Sequence, residues 1–246
     1  MANVGFKTDR GRLRSKNEDA LLVLPRMKTY AVADGVGGHN SGEIASRKAV
    51  TGLEQYIEQR PMEACYNSSD IKSHLINYFL DSLIQINQDI IDYSQQNPLN
   101  AGMATTLVAA HIHSEKLYVV NIGDSRAYIV RDGKISQITV DHTVVNQMIA
   151  DGDLSAEEAR VHPRKNEITR ALGAEEDVVP DFFITELLSG DRVVLCTDGL
   201  YGELSDSEIC DTVSLGDDLN DICRSLVAKA NAKGGRDNVT VICVEI

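Results

Sequence analysis

An apolar run that stops dead at an aspartate constrains this chain more than any other feature. Tyr30 to Ala33 reads as a buried strand, Asp34 ends it, and four glycines follow between Gly35 and Gly42. A carboxylate at the end of a rigid strand is held in place. Glycines after it let backbone approach a ligand closely. Asp-Gly is also a common turn pair, so this stretch alone is equally a strand followed by a turn.

The same grammar recurs. Arg192 to Thr197 is a second apolar run, ending at Asp198-Gly199, and Val119 to Gly123 is a third, ending at Asp124. Gly234-Gly235-Arg236 sets Asp237 just before the strand-like Val239 to Val244. Hairpin turns explain one or two such cases. Four suggest strands that converge their carboxylates on one edge. Packed carboxylates repel one another and are costly to hold unless a cation neutralises them. Oxygen ligands without a His/Cys cluster point to a hard ion, Mg²⁺ or Mn²⁺.

Along the chain, residues 2–8 and 20–24 read as short strands with a charged loop, Gly11 to Asp19, between them. A helix is expected from Asn40, capped by Asn40 with Glu43 three residues on, and apolar at Ile44, Ala45, Ala49, Leu53, Tyr56 and Ile57. After a polar connection, Pro61 to Ser69, the spacing predicts a helix from Asp70 to Ser94 that buries Leu75, Tyr78, Phe79, Leu83, Ile86, Ile90 and Ile91. Gln95 to Gly102 reads as a loop. The period then changes to strands: Thr105 to Ile112, Leu117 to Ile122, Ala127 to Val130 and Ile135 to Val140, the last two joined at Asp132-Gly133, a strong hairpin signal. Asp141 to Lys165 holds two short helices, one with Val144, Val145, Met148 and Ile149, the other opened by a capping box at Ser155. Asp191 to Thr197 is a buried strand. Helices over Ser205 to Val213 and Asp217 to Ala232 and a strand over Asn238 to Ile246 close the chain, with Gly234-Gly235 ending the last helix. Hairpins after long helices suggest antiparallel sheets with the helices outside them.

Six motifs, in order, carry a resemblance: Arg14-Ser15-Lys16-Asn17-Glu18-Asp19, Asp34-Gly35-Val36-Gly37-Gly38-His39, Gly102-Met103-Ala104-Thr105-Thr106, Gly123-Asp124-Ser125-Arg126, Asp198-Gly199 and Asp237-Asn238. The chain resembles the metal-dependent Ser/Thr protein phosphatases of type 2C, in their compact bacterial form, from about Thr8 to Val244. The resemblance implies an α+β fold: a four-layer α-β-β-α sandwich, two antiparallel sheets flanked by helix pairs. It also implies one domain over 1–246, with a flap at about 142–170 beside the active site. In that flap His162, Arg164 and Lys165 add positive charge that could meet a phosphorylated substrate, or that simply faces water.

By the same resemblance two Mg²⁺ or Mn²⁺ ions activate a water that attacks the phosphoryl group of phosphoserine or phosphothreonine proteins in line. Asp34 bridges the ions, the Gly35 carbonyl binds the second, and Asp198 and Asp237 complete the first. Asp124, with Asp198, holds a weaker third ion, or else caps its own turn. Arg14 binds the substrate phosphate, as its planar guanidinium suits two phosphoryl oxygens. Glu18 and Asp19 hold metal-bound waters, with Asn238 and His39 supporting the ligands. Many eukaryotic members carry a histidine directly after the Asp-Gly pair. Here that position is Val36, which leaves the general acid unassigned.

Two other readings share these residues: a scaffold that keeps the fold without catalysis, and a metal-dependent hydrolase of nucleotides or small metabolites. A net charge of −13 argues against general nucleic-acid binding and against docking on anionic lipid. Five cysteines without a CxxC pair are expected to be free, mostly buried thiols. No apolar stretch approaches the ~20 residues of a membrane span, and Met1 to Lys7 has no apolar leader core. The expectation is a monomeric, cytoplasmic enzyme acting on phosphorylated proteins, a bacterial Ser/Thr kinase and its substrates among them.

Overall fold

The computed structural model describes residues 3–37 and 41–246. Among these described residues eleven strands build two antiparallel sheets. One sheet runs β1 (Asn3–Asp9), β11 (Val239–Glu245), β10 (Arg192–Cys196), β7 (Arg126–Arg131), β8 (Lys134–Gln137). The other runs β2 (Asp19–Leu24), β3 (Thr29–Val36), β5 (Leu107–His113), β6 (Lys116–Ile122), β9 (Asp181–Glu186), with the short β4 (Ala104–Thr105) paired to β3.

The central strands are apolar on both faces because both faces are covered. Tyr30 and Val32 of β3 point to the space between the sheets, where they join Val108, Leu195, Ile242 and Val244. Ala31 and Ala33, one residue out of phase, face the helices. Helices α1 (Ser41–Gln59) and α3 (Ile71–Gln96) cover that side through Ala45, Ala49, Leu53, Leu83 and Ile86. Small alanines on β3 and α1 let the helix lie close to the sheet. On the opposite side α7 (Asp206–Leu215) and α8 (Leu219–Lys233) pack Ile209, Val213, Leu226 and Ala230 onto Val239, Val241 and Cys243 of β11. The order helix pair, sheet, sheet, helix pair is the expected α+β sandwich.

The elements fall close to their expected bounds. Asp132 and Gly133 both take positive φ, 50° and 70°, as the tight hairpin requires. Ser155 and Glu158 form the capping box that opens α5 (Ala156–Val161), after α4 (Val144–Ala150). Gly235 (φ +54°) follows the end of α8 and donates its N–H back to the Ala230 carbonyl.

Several features differ from expectation. The connection at 61–69 contains a helical turn, α2 (Glu63–Tyr66), because Met62 and Cys65 are buried against the α1–α3 pair. Strand β8 stops at Gln137, not Val140, since the Thr139 hydroxyl accepts the Ala127 N–H and takes the place of a ladder carbonyl. Ile91 is half-buried rather than inside. Edge strand β9 was not foreseen; its Phe182 and Ile184 pack on the α1–α3 side and Phe183 between the sheets. The expected cap Asn40 lies outside the described residues. Among the described residues no helix is long and apolar enough to cross a membrane.

Candidate metal and phosphate site

Strand pairing brings the carboxylates together. In the β2–β3 ladder Asp19 stands opposite Asp34. The Asp34 backbone is fixed at both ends. Its N–H donates to the Thr106 hydroxyl (2.9 Å), and its carbonyl accepts from Thr106 N–H (2.9 Å) and the Thr105 hydroxyl (2.9 Å). Thr106 in turn shares a hydrogen bond of 2.7 Å with Ser125, which ties the end of β3 to the turn after β6.

Asp198 arrives at the end of β10 as the first residue of a single helical turn, α6 (Asp198–Tyr201). A Cβ on Gly199 would lie 1.9 Å from the Asn238 carbonyl oxygen, so only glycine lets this turn approach β11. That approach sets Asp198 beside Asp237. Asp124 follows Gly123, whose φ of +103° favours glycine. The Tyr201 hydroxyl donates to the Asp124 carbonyl (2.9 Å), and Tyr201 is itself covered by the Arg126 guanidinium, 3.6 Å from its ring centre.

One cleft of about 330 Å³ results, and Arg14, Glu18, Asp34, Gly35, Asp124, Asp198, Asp237 and Asn238 all line it. Asp19 is buried behind it, where its Oδ2 accepts from Thr197 (2.9 Å) and Thr240 (2.7 Å). Val36, 44% exposed, lines the cleft directly after Gly35. His39 lies outside the described residues.

Arg14 reaches Asp237 at 2.6 Å with one of its five N–H donors and is otherwise open to the cleft. The loop that carries it is tied by a single buried side chain. Asn238 donates to the Arg10 and Lys16 carbonyls, both at 2.8 Å, and accepts the Glu18 N–H at 2.7 Å.

The charge balance of the cleft is five carboxylates to one guanidinium. Burial, and then the charges of Asp19, Asp198, Asp124 and Asp237, hold the Asp34 carboxyl well above the usual range. Burial pushes Asp19 up to about 7 against its hydrogen bonds from Thr240 and Thr197. Burial and then Asp198 push Asp124 up to about 7. Asp198 rises to about 6, from burial and then Asp237.

A divalent cation fits this donor set. Asp19 Oδ1 and Asp198 Oδ1 are buried without a hydrogen-bond partner, and all the charged donors are hard oxygens. Among the described residues no three acidic, histidine or cysteine side chains already close into a cage. Mg²⁺-like ions do not need one, as they keep several waters and take only one or two carboxylates.

Some residues of the site have no role readable from the sequence. Thr106 falls in the Gly102-to-Thr106 motif, but nothing there says what its hydroxyl holds, and Asn166 and Ile168, which also line the cleft, sit in the flap. Buried His142 fixes the turn before Asp124: Gly123 N–H donates to its Nδ1 (3.1 Å), and its Nε2 faces Asp181 (3.2 Å). Burial lowers its pKa, so the neutral ring accepts at Nδ1. The flap's Arg164 is taken up by Glu167.

Residues 6–239 match the sequence profile of the family described as Protein phosphatase 2C. The serine/threonine phosphatase stp of Listeria monocytogenes is 36% identical over 244 residues, 98% of this chain and 94% of that protein. The crystal structure of the serine/threonine phosphatase Stp1 from Staphylococcus aureus superposes with a TM-score of 0.90 at 33% identity, covering 100% of this chain and 95% of that one. A catalytic domain of the serine threonine protein phosphatase PstP, solved in complex with two manganese ions, superposes with a TM-score of 0.85 at 32% identity, covering 99% of this chain and 97% of that one.

Proposed function

The chain belongs to the protein phosphatase 2C family, and we propose from that premise that its carboxylate cleft hydrolyses phosphoserine and phosphothreonine in proteins with divalent metal. The observation that carries the reading is one cleft in which five carboxylates and a single arginine converge, backed by buried carboxylate oxygens that lack any donor.

When bound, two Mn²⁺ or Mg²⁺ ions supply positive charge against the phosphoryl oxygens and lower the pKa of the attacking water. Asp34, Asp198 and Asp237, with the Gly35 carbonyl, are the residues that would hold them; Asp124 with Asp198 would hold a weaker third ion. Asp34 is suited to a shared position because its backbone is fixed by Thr105 and Thr106. Glu18 and Asp19 would orient water around such ions, and Asn238 holds the Glu18 backbone in register. Arg14 lays its fork on the phosphoryl group and keeps the leaving hydroxyl in line with the incoming water. Water oxygen forms the new P–O bond, the ester P–O bond breaks, and the serine or threonine oxygen takes up a proton. No histidine lines the cleft among the described residues, so that proton has no assigned side-chain donor.

The remaining expectations belong to the same proposal. The chain is one catalytic domain with a flap at about 142–170, tied to the sandwich through the Thr105–Leu172 bridge. It acts as a cytoplasmic monomer opposite a bacterial Ser/Thr kinase. The five buried, unpaired cysteines suit a reducing compartment.

The test is release of phosphate from a phosphothreonine peptide with Mn²⁺ and then with EDTA. Release that EDTA stops is expected. A folded protein that cleaves nucleotides or sugar phosphates but no phosphopeptide would move the substrate to small molecules; one that cleaves neither would be a scaffold.

A further inference from the structure

The loop that presents Arg14 carries more positive charge than phosphate binding requires. Residues 10–16 read Arg-Gly-Arg-Leu-Arg-Ser-Lys, four basic side chains and no acid, in a chain of 37 acidic and 24 basic residues. All four are exposed, and Leu13 between them is 73% exposed. Most arginines elsewhere are held by a carboxylate, Arg47, Arg126, Arg131, Arg192 and Arg224 among them. Arg10, Arg12 and Lys16 have no carboxylate partner among the described residues. Arg12 donates its Nε–H to the Asn231 carbonyl (2.8 Å), and Arg10 reaches only the Ser15 carbonyl (3.4 Å).

This loop is held in one shape. Gly235 O accepts from Arg12 N–H (2.8 Å) and Leu13 N–H (3.3 Å), while Asn238 holds the Arg10 and Lys16 carbonyls. Cations pre-set on a fixed loop lose little entropy when they meet an anion. The flap, the other basic edge, is weaker because Arg164 is already taken by Glu167.

We propose that loop 10–16 is a docking surface for the chain flanking the phosphorylated residue, and that it selects segments bearing a further anion, carboxylate or phosphate, two or three positions away. The proposal rests on the phosphatase reading of the cleft. With the target phosphate at Arg14, an extended segment advances roughly 3.3 Å per residue, so its neighbouring charges fall within about 7–10 Å. That distance is comparable with the reach along the loop from Arg14 to Arg12 or Lys16. A protein of net charge −13 repels acidic segments on average, so a basic patch beside the cleft favours their approach there.

The experiment compares phosphothreonine peptides with neutral flanks, with glutamates at the flanking positions, and with a second phosphothreonine there, beside p-nitrophenyl phosphate. Wild-type protein and the Arg12→Gln/Lys16→Gln double variant are assayed with Mn²⁺ at low and high salt. The wild type is expected to favour the anionic peptides in kcat/KM by about two- to fivefold per flanking charge. Salt of about 1 M, where the screening length is ~3 Å, removes that preference. The double variant loses it too, while its turnover of p-nitrophenyl phosphate stays at the wild-type level and shows the fold intact. Equal gains from glutamate and phosphate identify charge as the selected property; a gain confined to the second phosphate identifies doubly phosphorylated segments. A wild type without preference, or a variant that keeps it, overturns the docking surface. Failure to cleave any phosphorylated probe would instead overturn the phosphatase reading itself.

Discussion

Asp34 sits where burial and four neighbouring carboxylates act on one side chain, and it shows what a single residue here is asked to tolerate. Asp19 and Asp124 share the burden, each pushed up to about 7. Unfolded aspartates ionise near pH 3.9. Between about pH 4 and 7 the unfolded chain therefore releases protons that the folded, metal-free chain keeps, and stability falls as pH rises through that window. Cation binding uses the ionised forms, so its stabilising effect grows over the same range. Thermal melts of EDTA-treated protein are expected to show Tm falling from about pH 5 to 7, with Mn²⁺ raising Tm more at pH 7.5 than at 5; a metal-free Tm that climbs across the window contradicts the crowding. Asp198→Asn is expected to cut phosphopeptide turnover by about 100-fold or more, with an unchanged circular dichroism spectrum. Asp34, Asp124 and Asp198 were legible because an apolar run ending in a carboxylate is an unusual pattern, and Asp237 because it stands just before such a run. The role of Thr106 was not, although it falls in one of the six motifs, because a threonine in a strand looks the same whether or not its hydroxyl holds a neighbour's backbone.

At the scale of elements, the site is made by strand ends and by the contacts that fix them. Asn238 joins the Arg14 loop to β11 through three hydrogen bonds. Asn238→Ala removes them and is expected to lower stability by roughly 1–3 kcal/mol in denaturant melts. It is also expected to raise KM for a phosphopeptide more than it lowers kcat, since Arg14 loses its fixed platform. Gly199→Ala places a methyl against the Asn238 carbonyl and is expected to cost about 1–3 kcal/mol as α6 and β11 are pushed apart. Helices α1 and α3 were readable from their apolar period, α5 from its capping box at Ser155 and α8 from the glycines that end it. Edge strand β9 was hidden by the irregular flap before it. The α6 turn was hidden because Asp198-Gly199 reads as a simple turn, and the Thr197 hydroxyl bonds Asp19 rather than capping the helix.

Over the whole molecule, two sheets pressed face to face explain why so many strands are continuously apolar, and the sequence pattern conveyed that much. The strand order could not be read from it, because pairing such as β1 with β11 joins the two ends of the chain. All five cysteines are buried and free, and burial pushes the Cys196, Cys223 and Cys243 thiols up. A thiol reagent is expected to label them quickly only once denaturant unfolds the chain; rapid labelling of the native protein would contradict the packing. The account's central claim is that the carboxylate cleft is a divalent-ion site whose occupancy makes the enzyme work. Its most direct test is a titration of Mn²⁺ into metal-free protein, with bound ion and phosphothreonine-peptide hydrolysis read from the same samples. Turnover is expected to rise in step with ion binding, and Asp34→Asn to lose both together. Full turnover in the chelated protein, or wild-type binding and activity in Asp34→Asn, would contradict it.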